Sequence, residues 1–562
     1  MRSQRLPVSS TPNLPAIPPG LGRASAVLAS GTIVSRLLGF VKVAVLAAAI
    51  GQVASASADA FGVANQLPNN IYALVAGGIL SAVLVPQIVR AGLHEDGGQR
   101  FINRIVTLSV VLFAAVALIA TLAAPALVAL YAQSSTTGRG FTPEAIALAT
   151  AFAYWCLPQI FFYALYSLLS EVLNARNVFG PFTWAPVLNN VAAIAGLIAF
   201  LLLFGGAEHN DTVTHWTGDR IILLAGTATL GVAAQALVLC LFWKRAGLRY
   251  RPDFRWRGVG MAATGRAAAW LFGMILVTQI AGIFQSRVAS IGSAEGASVS
   301  ALQNSWLIFM LPHSVIAVSI ATAYFTRMSG HAARGDLAAV RDDLSSSLRG
   351  IGLVIVFAAV AFAVVAYPFA RVFETEFGNV QAMGNVILAF LPGLILFSAL
   401  FVIQRVFYAL DDMRTPFFMQ CVQSGLFIIG ALACVALPAQ WIGVGIAAVT
   451  SIAGSSQAVV AIILVRRRLN GMDGRLVLKR HLQYLGLALV AGAVGIGLLL
   501  LLGGLSAGGF AQSGKLEALL SMAVIGTVMT FVYGGGLLVL RNPELAAVIG
   551  AVQVRFRPRK SE

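Results

Sequence analysis

Stretches of about 20 apolar residues recur along nearly the whole chain, and this recurrence constrains the fold more than any other feature. A helix of about 20 apolar residues is long enough to span the hydrocarbon core of a bilayer. Only 10% of the 562 residues are charged and 58% are hydrophobic, whereas soluble domains have about 25% and roughly 45–50%. Spanning β-strands would give short alternating segments instead. The sequence therefore predicts an all-α polytopic membrane protein.

Fourteen of these stretches are predicted to be transmembrane helices. They lie at about 25–50, 58–90, 105–132, 144–172, 180–204, 220–243, 264–289, 298–326, 346–370, 382–408, 415–437, 441–465, 481–503 and 516–540. An even number places both termini on one side of the membrane. The tails and loops on that side hold 30 of the 38 Lys and Arg residues, and the opposite side holds five. Basic loops stay inside, so we expect a multi-pass protein of the inner or plasma membrane with cytoplasmic termini.

A long basic loop divides the first twelve helices into two sets of six. Both sets enter the membrane from the same side, so they would be parallel repeats. A Leu-Pro pair occurs in the second helix of each set, in "QLPNNIYALVAGG" (66–78) and "MLPHSVIAVSIAT" (310–322). The predicted regions are a disordered N-terminal tail (1–24), an N lobe (25–243), a basic cytoplasmic linker (244–263), a C lobe (264–468), two further helices (469–540) and a basic C-terminal tail (541–562).

The composition also excludes several classes of function. No Walker, HExxH or GxSxG motif is present, so we expect no catalytic residue, no metal site and no cofactor. Transport would then be coupled to the membrane potential or to a gradient, such as that of a monovalent ion. The net charge of +17 lies mostly in short loops. It indicates orientation and contact with anionic membrane lipid rather than with nucleic acid.

Two cations interrupt the first apolar stretch, "IVSRLLGFVKVAVLAAAIG" (33–51). A cation at the bilayer centre costs at least about 2.5–3.5 kcal/mol on insertion scales. Arg36 and Lys42 are separated by about 9 Å along a helix and by about 120° around it. They therefore do not form one clamp, but they are placed to flank a broad lumen at two depths. The alternative is that they reach the membrane surface along their own stems.

Further polar residues are predicted to line the same cavity. Asp59 opens the second helix, where the helix dipole alone already favours an acidic residue. Uncharged polar groups at membrane depth either join helices or line a hydrated cavity, and the candidates for the cavity are Asn69, Asn70, Asn190, Asn304 and His313. Cations with few embedded acids favour an anionic substrate such as a phosphate or diphosphate. A carboxylate remains an open alternative.

Several stretches resemble one known family. "GTIVSRLLGFVKVAVLAAAIG" followed by "ADAFGVANQLPNNIYALVAGGILSAVLVPQIVR" is similar to the N-terminal signature of the MurJ/MviN-type lipid II flippases, which belong to the MOP exporter superfamily. "NARNVFGPFTWAPVLNN" (174–190), "GASVSALQNSWLIFMLPHSVIAVSIATAYFTRMS" (296–329) and "RVFYALDDMRTPF" (405–417) agree with it. The resemblance runs from about residue 25 to 540, and the "GGIL" run looks like a divergent, actinobacterial-like branch.

The resemblance implies a function in peptidoglycan biosynthesis. Such a protein moves lipid II, or a similar undecaprenyl-diphosphate-linked substrate, from the cytoplasmic to the outer leaflet by alternating access. Two lobes would enclose a cationic cavity, helices thirteen and fourteen would form a groove for the lipid tail, and cell-wall synthesis proteins would be partners. The family's first-helix arginines fall on Arg36 and Lys42, and its second-helix aspartate falls on Asp59.

The chain departs from the family pattern at four positions where a charged residue is expected. They are Tyr72, Ala73, Gly77 and Leu307. His313 is a candidate substitute. Two alternatives therefore stay open. One is a related exporter of another lipid-linked saccharide or amphipathic molecule, although such exporters commonly have twelve helices. The other is a transport-inactive homologue that acts as a scaffold for wall synthesis.

Overall fold

Fourteen long helices form the body of the part of the protein that the structure describes. The structure, a computed structural model, describes residues 21–76, 98–135, 139–176, 178–255 and 265–556. The helices are α1 (Leu21–Ile50), α2 (Ala56–Ala76), α3 (Gln99–Leu122), α4 (Pro143–Ala175), α5 (Phe179–Phe204), α6 (Gly218–Ala246), α7 (Gly265–Ser290), α8 (Val299–Ala333), α9 (Leu337–Val364), α10 (Phe377–Ala409), α11 (Arg414–Ala436), α12 (Ala439–Arg468), α13 (Gly474–Leu501) and α14 (Lys515–Val539). Each coincides with one predicted span.

Thirteen of the described helices are long and apolar enough to cross a membrane. The remaining one is α2, which has 21 residues and carries Asp59, Gln66, Asn69 and Asn70. These polar residues lower its hydropathy, and the second half of the predicted span (77–90) lies outside the described residues. The prediction of an all-α polytopic membrane protein is confirmed.

Leu-Pro pairs occur in matching helices of the two lobes. They lie at 67–68 in α2 and 311–312 in α8, and again at 157–158 in α4 and 391–392 in α10. Proline removes a backbone donor from the helical ladder. Accordingly α4 has a turn at its pair, α10 has a 3₁₀ turn at Leu391–Gly393, and α8 loosens into a π-helical turn at His313–Ala317. The matching positions identify α1–α6 and α7–α12 as repeats of one six-helix unit.

The surfaces of the lobes are apolar. Large side chains such as Leu202, Leu501 and Val539 are more than four-fifths exposed, as expected where lipid is the solvent. Inside the lobes, glycines let helices approach closely. A Cβ on Gly196 would lie 2.3 Å from Thr227 Oγ1, so α5 and α6 touch there through the glycine.

The last two membrane helices are an addition to the C lobe. α13 packs against α9 and α14. The Tyr533 hydroxyl of α14 donates to the Leu353 carbonyl of α9 at 2.7 Å, and its ring stacks on Phe357 at 4.7 Å between centroids. Gly495 of α13 faces Met529 of α14, where an added Cβ would lie 2.6 Å from the sulfur. The pair α13–α14 therefore belongs to the C lobe alone among the described contacts.

Several boundaries differ from the predicted ones. α9 begins at Leu337 rather than 346 and α13 at Gly474 rather than 481, because their first turns are polar and hydropathy does not mark them. α1 begins at Leu21, so the end of the predicted N-terminal tail is helical, and residues 1–20 lie outside the described residues. The predicted C-terminal tail contains a helix, Pro543–Phe556. Its Glu544 accepts a hydrogen bond from Arg349 Nε at 2.8 Å.

Candidate functional site

Asp59 lies in the contact between the two lobes. It is fully buried at the start of α2. The Ser293 hydroxyl donates to its Oδ2 at 2.7 Å, and the Ser300 N–H donates to its Oδ1 at 2.9 Å. Ser293 lies in the short connection from α7 to α8, and Ser300 lies in the first turn of α8. Asp59 thus joins the N lobe to the C lobe through hydrogen bonds from neutral donors. The contact lies at the helix ends that the distribution of basic loops predicts to be on the outer side of the membrane.

The loop between α1 and α2 strengthens the same contact. Asn304 Nδ2 of α8 donates to Gln52 Oε1 at 2.6 Å, and the Val53 N–H donates to Glu374 Oε1 at 2.8 Å. Gln52 and Glu374 are buried. Together with Asp59 these hydrogen bonds close the lobes against each other on the predicted outer side.

Glu374 is a functional candidate that the sequence did not reveal. It lies between the short helix Ala366–Arg371 and α10, outside the membrane-spanning segments. Burial raises the pKa of its carboxyl group to about 7, although hydrogen bonds from Val53 and Asn379 and the charge of Lys515 oppose the rise. In the sequence Glu374 is simply an acidic residue in a short outer loop. An ordinary solvated loop also contains acidic residues, so this pattern does not indicate burial.

The two cations of α1 face different spaces. Arg36 is exposed, and its Nη1 donates to the Ser314 hydroxyl of α8. Arg36 therefore bridges the two lobes at a position 14 residues before the end of α1. This corresponds to a distance of about 21 Å from that end along the helix axis. Lys42 lines a small cavity of about 80 Å³ inside the N lobe, beside Gln159 and Asn189. No carboxylate lines that cavity within the described part of the chain.

The other predicted site residues are dispersed. Asn190 Nδ2 donates to the Ser35 carbonyl at 2.8 Å and so joins α5 to α1. His313 is buried in the C lobe, where its Nδ1 lies 3.1 Å from Ser398 Oγ. Asn69 is exposed, whereas Asn70 lines the larger cavity described next. The structure shows these residues in different surroundings. That they share one cavity stays a prediction.

Of the four positions without the expected charge, the three that the structure describes have no common setting. Tyr72 packs near Tyr163, with 6.0 Å between ring centroids, and Leu307 is more than half exposed. Ala73 is partly buried, and Gly77 lies outside the described residues. His313 does not replace their charges in a cavity, because the ring of Phe397 separates it from the larger cavity.

A cavity of about 500 Å³ lies between α2 and the C-lobe helices α7, α8, α10, α11 and α12. We call it the amide cavity, because seven glutamines line it: Gln66, Gln279, Gln285, Gln303, Gln420, Gln423 and Gln457. No Asp, Glu, Lys or Arg lines it among the residues that the structure describes. None of these glutamines is among the residues predicted from the sequence to line a cavity. Gln420, Gln423 and Ser424 lie three or four positions apart along α11 and share one helix face. Gln279 and Ser286 lie seven positions apart along α7, which also places them on one face, and this spacing was the available signal.

Aromatic rings form another part of the wall of the amide cavity. Trp306 stacks on Phe309, with 4.7 Å between centroids, and lies 5.6 Å from Phe390 and 5.8 Å from Phe397. All four side chains line the cavity. The amide cavity therefore offers hydrogen-bonding groups and flat apolar surfaces, without a charge.

Comparison with known proteins gives consistent matches. The family model described as lipid II flippase MurJ matches residues 46–510. A probable lipid II flippase MurJ of Haemophilus influenzae is 27% identical over 75% of this chain and 82% of its own length. Its counterpart in Rhizobium tropici is 26% identical over 78% of this chain and 79% of its own.

Solved structures show the same fold. A lipid II flippase MurJ in an inward closed conformation superposes with a TM-score of 0.68 at 18% identity, covering 91% of this chain and all of that one. An inward-facing multidrug resistance MATE transporter of the MOP superfamily gives 0.60 at 17% identity over 80% of this chain and 98% of its own.

Proposed function

Because the chain belongs to the lipid II flippase MurJ family, we propose that it moves lipid II from the cytoplasmic to the outer leaflet by alternating access of its two lobes. The observation that carries the mechanism is the buried contact around Asp59. A transporter of this kind needs a seal on one side that breaks when the lobes rock. Hydrogen bonds from Ser293 and Ser300 to one buried carboxylate form such a seal.

The roles of the charged residues follow from their positions. Arg36 is exposed between the lobes and Lys42 faces a cavity in the N lobe, so each would attract the diphosphate at a different stage of its passage. Asp59 would act as the outer gate. The groove beside α13 and α14 would hold the polyprenyl tail. The protein would perform no covalent chemistry and would use no cofactor.

The orientation and the energy source are part of the same proposal. The distribution of Lys and Arg between the two sides supports cytoplasmic termini. The membrane potential or a monovalent ion would drive the cycle. The basic loop after α6, where Asp253 pairs with Arg104 at 3.1 Å and Arg255 at 2.9 Å, would contact anionic lipid. Cell-wall synthesis proteins are the proposed protein partners.

Depletion and complementation test the proposal. In cells depleted of the native protein, we expect lipid II to accumulate in the inner leaflet and wild-type protein to restore it to the outer leaflet. Arg36→Ala and Lys42→Ala should restore it poorly, whereas Lys244→Ala, which changes an exposed cation of the inner loop, should act like the wild type. If the wild type never restores outer-leaflet lipid II, the function is wrong. If Arg36→Ala and Lys42→Ala restore it fully, only the assigned roles are wrong.

A further inference from the structure

The amide cavity has the chemistry of a site for an uncharged, hydroxyl-rich group. We propose that it binds the sugar part of the transported lipid and leaves the diphosphate outside. This inference rests on the proposed function, since it names the part of that substrate which the cavity takes.

Two glutamines of α7 provide free hydrogen-bonding capacity. Gln279 and Gln285 line the cavity and are only partly buried. Within the described residues, neither has a hydrogen-bond partner. Each amide offers two donors and a carbonyl acceptor, which suits a sugar whose hydroxyl groups both donate and accept.

The glutamines of α11 and α12 are already ordered. Gln457 Nε2 donates to Gln420 Oε1 at 3.2 Å, and Gln420 Nε2 donates to Gln423 Oε1 at 2.7 Å. These oxygens are engaged, whereas Gln423 Nε2 has no partner in the part of the chain that the structure describes. A row of amides held in this way is pre-organised, so little side-chain entropy is lost when a ligand binds.

The aromatic part of the wall favours a ring-shaped ligand. A pyranose carries hydroxyl groups around its edge and C–H groups on its faces, and an aromatic side chain presents a flat apolar surface to such a face. Trp306 and Phe397 line the same cavity as the glutamines. A volume of about 500 Å³ lies within the usual range of ligand pockets, about 300–1,000 Å³.

The absence of charged side chains in the described wall of the cavity disfavours the charged parts of the substrate. Moving an ionised group out of water without a partner of opposite charge is strongly unfavourable. A diphosphate and the ionised carboxyl groups of a peptide therefore prefer other surroundings, and no described charged residue lines the amide cavity. Arg36 lies elsewhere between the lobes and is available to the diphosphate.

The cavity is built from both lobes, which couples binding to the transport cycle. Gln66 Nε2 of α2 donates to Ser286 Oγ of α7 at 2.8 Å, and Gln303 Nε2 of α8 donates to Gln66 Oε1 at 3.1 Å. When the lobes separate around the amide cavity, Gln66 moves away from the C-lobe side chains that form the rest of the wall. A sugar held in the closed form would then lose part of its site.

Binding measurements on the full-length protein in lipid nanodiscs test the inference. The probes are lipid II, undecaprenyl diphosphate, which lacks the sugars, and phosphatidylglycerol as the non-specific lipid. The double variant Gln279→Leu/Gln285→Leu removes amides that have no described partner, so it should fold normally. We expect about tenfold weaker binding of lipid II and unchanged binding of undecaprenyl diphosphate, as for the loss of one or two hydrogen bonds. Gln404→Leu is the matched control, because Gln404 lies partly buried on α10 and does not line the amide cavity.

The outcomes separate the two claims. Equal weakening of both undecaprenyl lipids, or unchanged binding of lipid II by the double variant, overturns the saccharide site while the proposed function stands. Wild-type protein that binds lipid II no better than phosphatidylglycerol overturns the proposed function itself.

Discussion

Replacing Glu374 should remove a pH dependence of the outer closure. In the closed form burial raises the pKa of Glu374 to about 7 from an ordinary value of 4.5, and opening would return the group to water. The closed form therefore binds the proton more tightly, so this contribution favours closure at low pH and is lost as the pH rises through 7. The difference corresponds to about 3 kcal/mol, or roughly a hundredfold in the ratio of closed to open forms.

The variant Glu374→Gln keeps an acceptor for the Val53 N–H but cannot titrate. Spin labels at Thr214→Cys and Ala436→Cys, on outer loops of the two lobes, would report the inter-lobe distance by pulsed electron paramagnetic resonance, in a background without the four native cysteines. We expect the closed population of otherwise wild-type protein to fall between pH 5 and pH 8, and that of Glu374→Gln to stay constant. Glu376→Gln, an exposed neighbour, should behave like the wild type.

Two results would refute this reasoning. If Glu374→Gln retains the pH dependence of the wild type, another group is responsible for it. If closure strengthens as the pH rises, the sign is wrong, and the attraction of Lys515 or the hydrogen bond from Val53 dominates over burial of the carboxylate.

Three further changes are expected to act at separate places. Asp59→Asn loses a charged acceptor and should weaken the outer closure by about 1.5–3 kcal/mol. The measurement is faster labelling of Ala297→Cys, at a buried position of the α7–α8 connection, by a water-soluble maleimide; unchanged labelling would contradict a gating role. Gly495→Val should lower the thermal unfolding temperature, since overpacking against α14 costs about 1–3 kcal/mol. Gly497→Val, at a glycine that faces open space, should leave it unchanged. Equal effects of the two variants would show that the glycine contact is unimportant. Lys42→Met should slow lipid II movement in proteoliposomes about tenfold or more, as for the loss of one charge-assisted hydrogen bond. Lys42→Arg keeps the charge and should restore the rate. Equal rates for both variants would exclude a role for the charge.

The membrane helices and the two lobes could be predicted because they depend on patterns that are local in the sequence. Apolar length marks a span, and basic residues mark its inner end. The same rules missed the first turns of α9, where Arg341 and Asp342 precede the apolar stretch, because a helix that extends beyond the bilayer has no apolar signature.

The site was harder to predict because its parts come from distant segments. Arg36 and Lys42 were expected to flank one lumen, but the 120° between them turns Lys42 toward a cavity inside the N lobe. His313 was expected in a cavity, and the ring of Phe397, 84 positions later, covers it. Glu374 is buried where Val53 of the other lobe docks on it, and no local pattern encodes that contact.

The attachment of α13 and α14 to α9 makes a nearly symmetric pair of lobes mechanically unequal. Two additional helices enlarge the perimeter over which the C lobe meets lipid, and so enlarge the viscous drag on its rotation. When two bodies turn against each other, the one with less drag turns further. The N lobe would therefore make the larger swing relative to the bilayer.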